Sequence, residues 1–318
     1  MKINNETQLK RAETIKRKLI QANEKDLDRE IFGASSHQYK MNSPLSTSEL
    51  EQWQTEHGIT LPACYVQFLT QIGDGGAGPY YGIYTLAQAT SYTEKEAMTG
   101  KCVLYPDMDK EEWNRLIEPL INEEDISDPE YDIACNKVLG GMLNIGTQGC
   151  EYEMYLVLEG EQKGKIVYTS SFYEDYPFFF VYEDNFLDWY ERWLDEIILD
   201  YDDAWFGSRM PGNEEKLIAV YEQSSNDTTR LKAFEGMYKM KSLAPSTLKF
   251  LQDVADQHLH QKVQLNQHNQ QPDQLQPLHQ QQLYTAIRLM CKTSPEIAQP
   301  YLLQLLDSGK QKGGEGLR

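Results

Sequence analysis

Three groups of residues in this chain have types and spacings that could do chemistry. The first is Gly73-Asp74-Gly75-Gly76-Ala77-Gly78, which satisfies the G-x-G-x-x-G dinucleotide pattern. That pattern holds a phosphate only when it follows a strand and opens a helix, so that the anion meets the helix N-terminus. Here a helical pattern precedes it and Pro79-Tyr80-Tyr81 leads toward a short strand pattern, so it reads as a glycine turn. The second group is His57 and Cys64, with His37 able to approach. A Cys–His nucleophile needs an orienting group and an oxyanion site, and the sequence indicates neither. His57 reads instead as closing the apolar side of its helix near the C-terminus, where a cation is welcome. No G-x-S-x-G, P-loop or H-E-x-x-H occurs. No catalytic residue is nominated, and a non-enzymatic protein is expected.

The third group is carboxylates. The 318 residues hold 49 acidic and 30 basic side chains, a net charge of −19. Asp107–Asp132 carries 11 acidic and 2 basic residues (−9), and Glu174–Asp203 carries 11 and 1 (−10). These two blocks sum to the whole charge, leaving 27 of each sign elsewhere. Within the second block Asp184, Asp188, Glu191 and Asp195 follow i, i+4, i+7, i+11 and share one helix face, opposite Phe186, Tyr190, Trp193 and Ile197. Such a face either keeps the protein soluble or imitates a phosphate array and captures a basic protein.

Direct nucleic-acid binding is not expected, because phosphates call for clustered Lys and Arg; an anionic membrane surface would be repelled in the same way. The N-terminus shows no signal-peptide core, and no apolar run spans a bilayer. Five cysteines (Cys64, Cys102, Cys135, Cys150, Cys291) are widely spaced without a C-x-x-C pair, which suits reduced thiols in a cytoplasmic protein. Residues 257–282 hold 11 Gln and 4 of the 6 His, and read as a polar loop. Without supporting carboxylates or cysteines no metal site is expected there, and no cofactor elsewhere.

The elements that must position these residues follow from periodicity. A first helix is expected over about 7–30, with Leu9, Ala12, Ile15, Leu19 and Ala22 on one face. Ser46 and Glu49 form a capping box for a helix that stops at Gly58, and Pro62 opens another. A short strand is expected at 82–86, a helix around Trp113, and a helix from Asp128-Pro129 to Val138. The period then falls toward 2, giving strands at 142–145, 152–158, 165–169 and 178–182 before a long helix capped by Asp184. Helices, a meander of strands and a closing helix indicate an α+β fold: an antiparallel sheet with helices mainly on one face.

After Trp205-Phe206-Gly207 only helical patterns remain. Ala233-Phe234-x-x-Met237 echoes Ala286-Ile287-x-x-Met290, and Leu248/Leu251 echoes Leu302/Leu305, the pattern of a short HEAT-like array or of an ordinary bundle. The expected division is an N-terminal helix (1–31), an α+β domain (32–207), a helical segment (208–309) and a frayed tail (310–318).

Several segments together resemble the SUKH superfamily, in the branch named after a fungal cell-wall assembly regulator. They are Glu56-His57-Gly58-Ile59-Thr60-Leu61-Pro62, Tyr65-Val66-Gln67-Phe68-Leu69, the Gly73-to-Gly82 turn, Ile145-to-Tyr152, Gly164-to-Tyr168 and Phe186-Leu187-Asp188-Trp189-Tyr190. The family's Asn-Gly-Gly turn is Asp-Gly-Gly here. The resemblance covers about residues 32–207 and implies a fold without known catalysis. Many bacterial members look like immunity proteins that neutralise toxins, often nucleases; others look like regulatory interaction modules. The expectation is therefore a protein-binding module whose partner is a basic protein such as a toxin or nuclease domain. Its docking residues would be Asp184, Asp188, Glu191 and Asp195, with Glu111, Glu112, Glu123, Glu124 and Asp125 of the neighbouring acidic block. The alternative is a regulatory scaffold that recruits a cellular partner through the C-terminal helices.

Overall fold

The computed structural model describes residues 5–106, 108–121, 126–149, 152–170, 178–267 and 277–313. The chain divides into two compact units, Met1–Ser208 and Arg209–Arg318.

The first unit opens with helix α1 (Asn5–Lys25), which buries Ala12, Ile15, Leu19 and Ala22. After the short α2 (Ala34–His37), α3 (Thr47–His57) starts at the Ser46/Glu49 capping box and ends on Gly58 in the left-handed region. Pro62 sits at the N-cap of α4 (Ala63–Gln67), which widens into a π-helical turn over Phe68–Ile72. The strand expected at 82–86 is not formed: Ile83 makes only an isolated bridge to Gly76, and Thr85 with Gln88 caps α5 (Leu86–Ser91) instead. Next come α6 (Lys95–Thr99), α7 (Lys110–Ile121) and α8 (Asp128–Val138).

The sheet is a four-stranded antiparallel meander in the order β1 (Met142–Thr147), β2 (Glu153–Val157), β3 (Ile166–Thr169), β4 (Phe179–Phe180). Alternation along the strands divides the core. Leu143, Ile145, Met154, Leu156, Ile166 and Tyr168 join the larger core built with α1, α3 and α4. Met142, Tyr155, Val157 and Val167 face a smaller core under Trp113, Ile117 and Leu120 of α7 and Ala134 and Val138 of α8. The closing helix α9 (Phe186–Ile198) drives Phe186, Trp189, Tyr190 and Trp193 into the larger core. Its N-cap is Asn185, whose side chain accepts from the Asp188 N–H at 3.1 Å; Asp184 lies one residue outside.

The second unit is all helical: α10 (Glu214–Gln223), α11 (Asp227–Met237), α12 (Pro245–Gln267), α13 (Pro277–Thr293) and α14 (Pro295–Gly313). Helix α10 falls within the stretch expected to be helical and is capped by Asn213, whose side chain accepts the Lys216 N–H. The Gln-rich stretch expected as a loop continues α12 as far as Gln267 and rejoins helix at Pro277; residues 268–276 lie outside the described part. Glutamine is a good helix former, and the stretch has inward-facing anchors. Gln282 is fully buried, accepting from the Tyr221 hydroxyl and donating to the Asp227 carbonyl, and His279 pairs with the Asp227 carboxylate at 3.2 Å. Ala233, Phe234, Met237, Ala286, Ile287 and Met290 are all buried, whereas Leu302 is exposed where its counterpart Leu248 is not.

Candidate protein-interaction surface

The carboxylate face of α9 is assembled largely as its spacing requires, but it meets another helix of the same chain. Asp188, Glu191 and Asp195 lie against α1. Arg11 pairs with Asp188 and, at 3.3 Å, with Glu191; Lys18 reaches Glu191 at 2.8 Å and Asp195 at 2.7 Å. Burial alone would lower the Lys18 pKa; hydrogen bonds and charge from Asp195 and Glu191 outweigh it and hold the ammonium above its usual range. Both helices advance seven residues between pairs (11 to 18, 188 to 195), so α1 and α9 run parallel. Sequence reasoning passed over Arg11 and Lys18, yet the signal was there: two cations seven apart on one helix and two carboxylates seven apart on another.

Asp184 does not join this ladder. It is exposed, and its nearest cation is Lys165 at 3.5 Å. Beneath the face, Arg192 is buried between Glu183 at 3.0 Å and Glu196 at 2.9 Å and lies over the Phe206 ring. Burial works against its charge, but the two carboxylates prevail and its pKa is raised. On α7, Glu111 is exposed and Glu112 accepts a hydrogen bond from the Tyr105 hydroxyl. Glu123, Glu124 and Asp125 lie outside the described residues.

The glycine turn is held by its own chain. The N–H groups of Gly73, Asp74, Gly76 and Ala77 donate to the carbonyls of Phe68, Ser43, Ile83 and Lys40. Gly76 has φ +113°, and a Cβ there would lie 2.4 Å from the Lys40 carbonyl oxygen. Those amides are committed to the fold, unlike the free amides of a phosphate cradle. The Asp74 carboxylate accepts the Leu86 N–H at 2.7 Å and so ties the turn to the start of α5. His57 stacks on Trp53, with its Nδ1 2.8 Å from the Trp53 carbonyl oxygen. Burial pushes the Cys64 thiol up, the opposite of what a nucleophile needs. Among the described residues no three His, Cys, Asp or Glu side chains are grouped to hold a metal ion.

The glycine turn, the Leu-Pro start of α4, the strand meander and the aromatic closing helix thus form one framework, and residues 44–192 match the SMI1/KNR4 family (SUKH-1) across it. Over those residues the chain is similar to SUKH-1 proteins. Neither curated proteins nor solved structures show a match to the chain. In the SUKH-1 segment Leu61, Tyr65, Phe68, Leu69, Phe186, Trp189 and Tyr190 are all buried, so these stretches of the resemblance serve the fold. Among the described residues no helix is long and apolar enough to cross a membrane.

Proposed function

We propose that this SUKH-1-like protein is a non-catalytic binding module of the immunity type, which neutralises a toxin of the nuclease class by covering its basic active site with an acidic surface. The family match over residues 44–192 carries the reading. A second support is the net charge of −19, concentrated in two blocks. Three carboxylates of α9 are already paired with α1, so Asp184 and Glu111 remain the more exposed members of the proposed face. Such a face raises the association rate with a basic partner, and the rate falls as salt screens it. The test is co-expression and co-purification with the polypeptide encoded beside this chain. A complex, with protection of the cell from that polypeptide, supports the reading; full toxicity with no complex overturns it.

A regulatory scaffold acting through the HEAT-like helices is the second reading, favoured by the exposed Leu302, Leu303 and Leu306 on α14. Replacing Leu302 and Leu306 by Asp in the full chain separates the two: loss of a housekeeping partner favours the scaffold, and unchanged toxin protection favours immunity.

A further inference from the structure

Because α1 and α9 run parallel, both of their C-terminal ends reach the same end of the first unit. Residues 26–32 leave from one and residues 199–205 from the other. The Asp203 carboxylate lies close enough to the Phe32 N–H for that amide to favour its charge, which brings the two segments together. The Asp26 carboxylate accepts from the Tyr39 hydroxyl at 2.8 Å and the Glu30 N–H at 2.7 Å. The Tyr80 hydroxyl donates to the Phe206 carbonyl at 2.8 Å.

This frame keeps large apolar side chains out of the core. Phe32 is 50% exposed and meets the Tyr81 ring edge-on at 5.3 Å, Tyr81 being 46% exposed. Trp205 is 47% exposed, and Leu27 and Leu199 are more so. Among the described residues the non-glycine positions with positive φ are Arg29, Gln38, Tyr39, Tyr80, Asp200 and Trp205; Arg29, Asp200 and Trp205 lie in these segments, and the Tyr39 and Tyr80 hydroxyls bond to Asp26 and Phe206. Bulky residues held in that region cost conformational energy.

The surroundings are acidic. Residues 26–32 and 199–205 hold six carboxylates and one cation, Arg29, a net of −5; Asp28, Glu30 and Asp200 are exposed, Asp202 and Asp203 half-buried, and Asp26 buried on Tyr39. They lie just past two helix C-termini, whose dipoles already disfavour negative charge. Burial, with Asp202 and Asp26 nearby, pushes the Asp203 pKa up to about 6. The Phe32–Tyr81 pair, with exposed Trp205 on the segment that Asp203 brings to Phe32 and carboxylates around it, complements an apolar side chain ringed by arginines, and exposed ring faces also accept guanidinium groups.

We propose that the Phe32–Tyr81–Trp205 patch is the docking surface for a protein partner that presents an arginine-rich face around an apolar anchor. This rests on the protein-binding reading above and relocates its contact from the carboxylate stripe of α9 to the end of that helix.

The probe is a synthetic peptide with two leucines flanked on each side by arginines, beside a control with glutamates in place of the arginines. Each is titrated into the isotopically labelled full chain, and amide shifts are followed. The arginine peptide is expected to move residues 27–32, 81 and 199–205, and the glutamate peptide to move none of them. Phe32→Ala with Trp205→Ala should weaken binding by about tenfold or more. Ile133→Ala, exposed on α8, should leave it unchanged, and both variants should keep the wild-type melting temperature.

Shifts confined to the Glu111 region or to the α9 stripe, no binding at all, or equal affinity for the double variant would each overturn the patch. Sedimentation showing a dimer that the double variant dissolves would make the occupant a second copy and overturn the basic partner. The broader reading fails separately: if the neighbour-encoded polypeptide still binds the double variant, only the patch is wrong.

Discussion

Exchanging Glu191 and Asp195 for lysine sets two new cations against Arg11 and Lys18. The exchange removes three ion pairs: Arg11–Glu191, Lys18–Glu191 and Lys18–Asp195. At these partly exposed positions each contributes about 0.5–1 kcal/mol, so their loss costs ~1.5–3 kcal/mol. Like-charge repulsion adds a comparable amount once the side chains have swung apart. The expected destabilisation is therefore ~3–6 kcal/mol, a large share of the roughly 5–15 kcal/mol typical of a folded protein. With a urea slope near 3 kcal/mol per molar, the unfolding midpoint should fall by about 1–2 M. All five tryptophans (Trp53, Trp113, Trp189, Trp193, Trp205) lie before residue 209, so tryptophan fluorescence reports the first unit alone. Adding Lys18→Glu to the same chain restores two of the three pairs with their signs reversed, leaves Arg11 on Asp188, and should recover about half of the loss. An unchanged midpoint in the lysine variant, or a triple variant no more stable than the sum of its parts, would refute the pairing of α1 with α9. The same reversal used as a binding assay would be misleading, since it loosens α1 before any partner is met.

The Asp203 pKa of about 6, set by burial and then by Asp202, lies above its unfolded value, so ionisation costs stability as pH rises from about 4 to 6. Asp203→Asn should gain ~1–3 kcal/mol at pH 8 and almost nothing at pH 4 by chemical denaturation; an equal effect at both would deny the shift. Arg192→Met strands Glu183 and Glu196 as buried carboxylates and should cost ~3–5 kcal/mol, lowering the melting temperature by about 10 °C. A melt within a degree or two of wild type would show those carboxylates to be better solvated than their burial indicates. Gly76→Ala drives a methyl into the Lys40 carbonyl and should leave little soluble protein at 37 °C; normal expression with a native melt would contradict that packing.

Features written in adjacent residues were legible in the sequence. The Ser46/Glu49 box, the Gly58 stop, the Asp128-Pro129 start and the strand meander each depend on a few neighbours. So does the order of short motifs that marks the family. The misreadings came where two local signals competed or the partner lay far away. Thr85 and Gln88 form a capping box that outweighs the strand pattern of 82–86. Asn185 displaced Asp184 as N-cap, one residue along. The Gln/His tract was judged on composition, whereas buried Gln282 and the Asp227–His279 pair decide its fold. Of the four carboxylates expected on one face of α9, Asp188, Glu191 and Asp195 meet α1, whereas Asp184 lies outside the helix. The α1 partners of those three are 173–180 residues away, so the matching seven-residue spacings could be paired only once both helices had been placed side by side.

That separation also fixes an order in time. At roughly 5–20 residues per second of synthesis, α1 leaves the ribosome about 10–35 s before α9 exists to receive it, given the 177 residues between Arg11 and Asp188. Throughout that interval the apolar face of α1 has only earlier segments such as the Gln67–Ile72 turn to pack against, and Arg11 and Lys18 lack the carboxylates they meet in the folded domain. The final seating of α1 is therefore expected only after the carboxylates of α9 have been made. Nascent chains arrested at residue 170 should be cut by protease within α1, while chains arrested well beyond 208 should be protected there; protection at 170 would break this order.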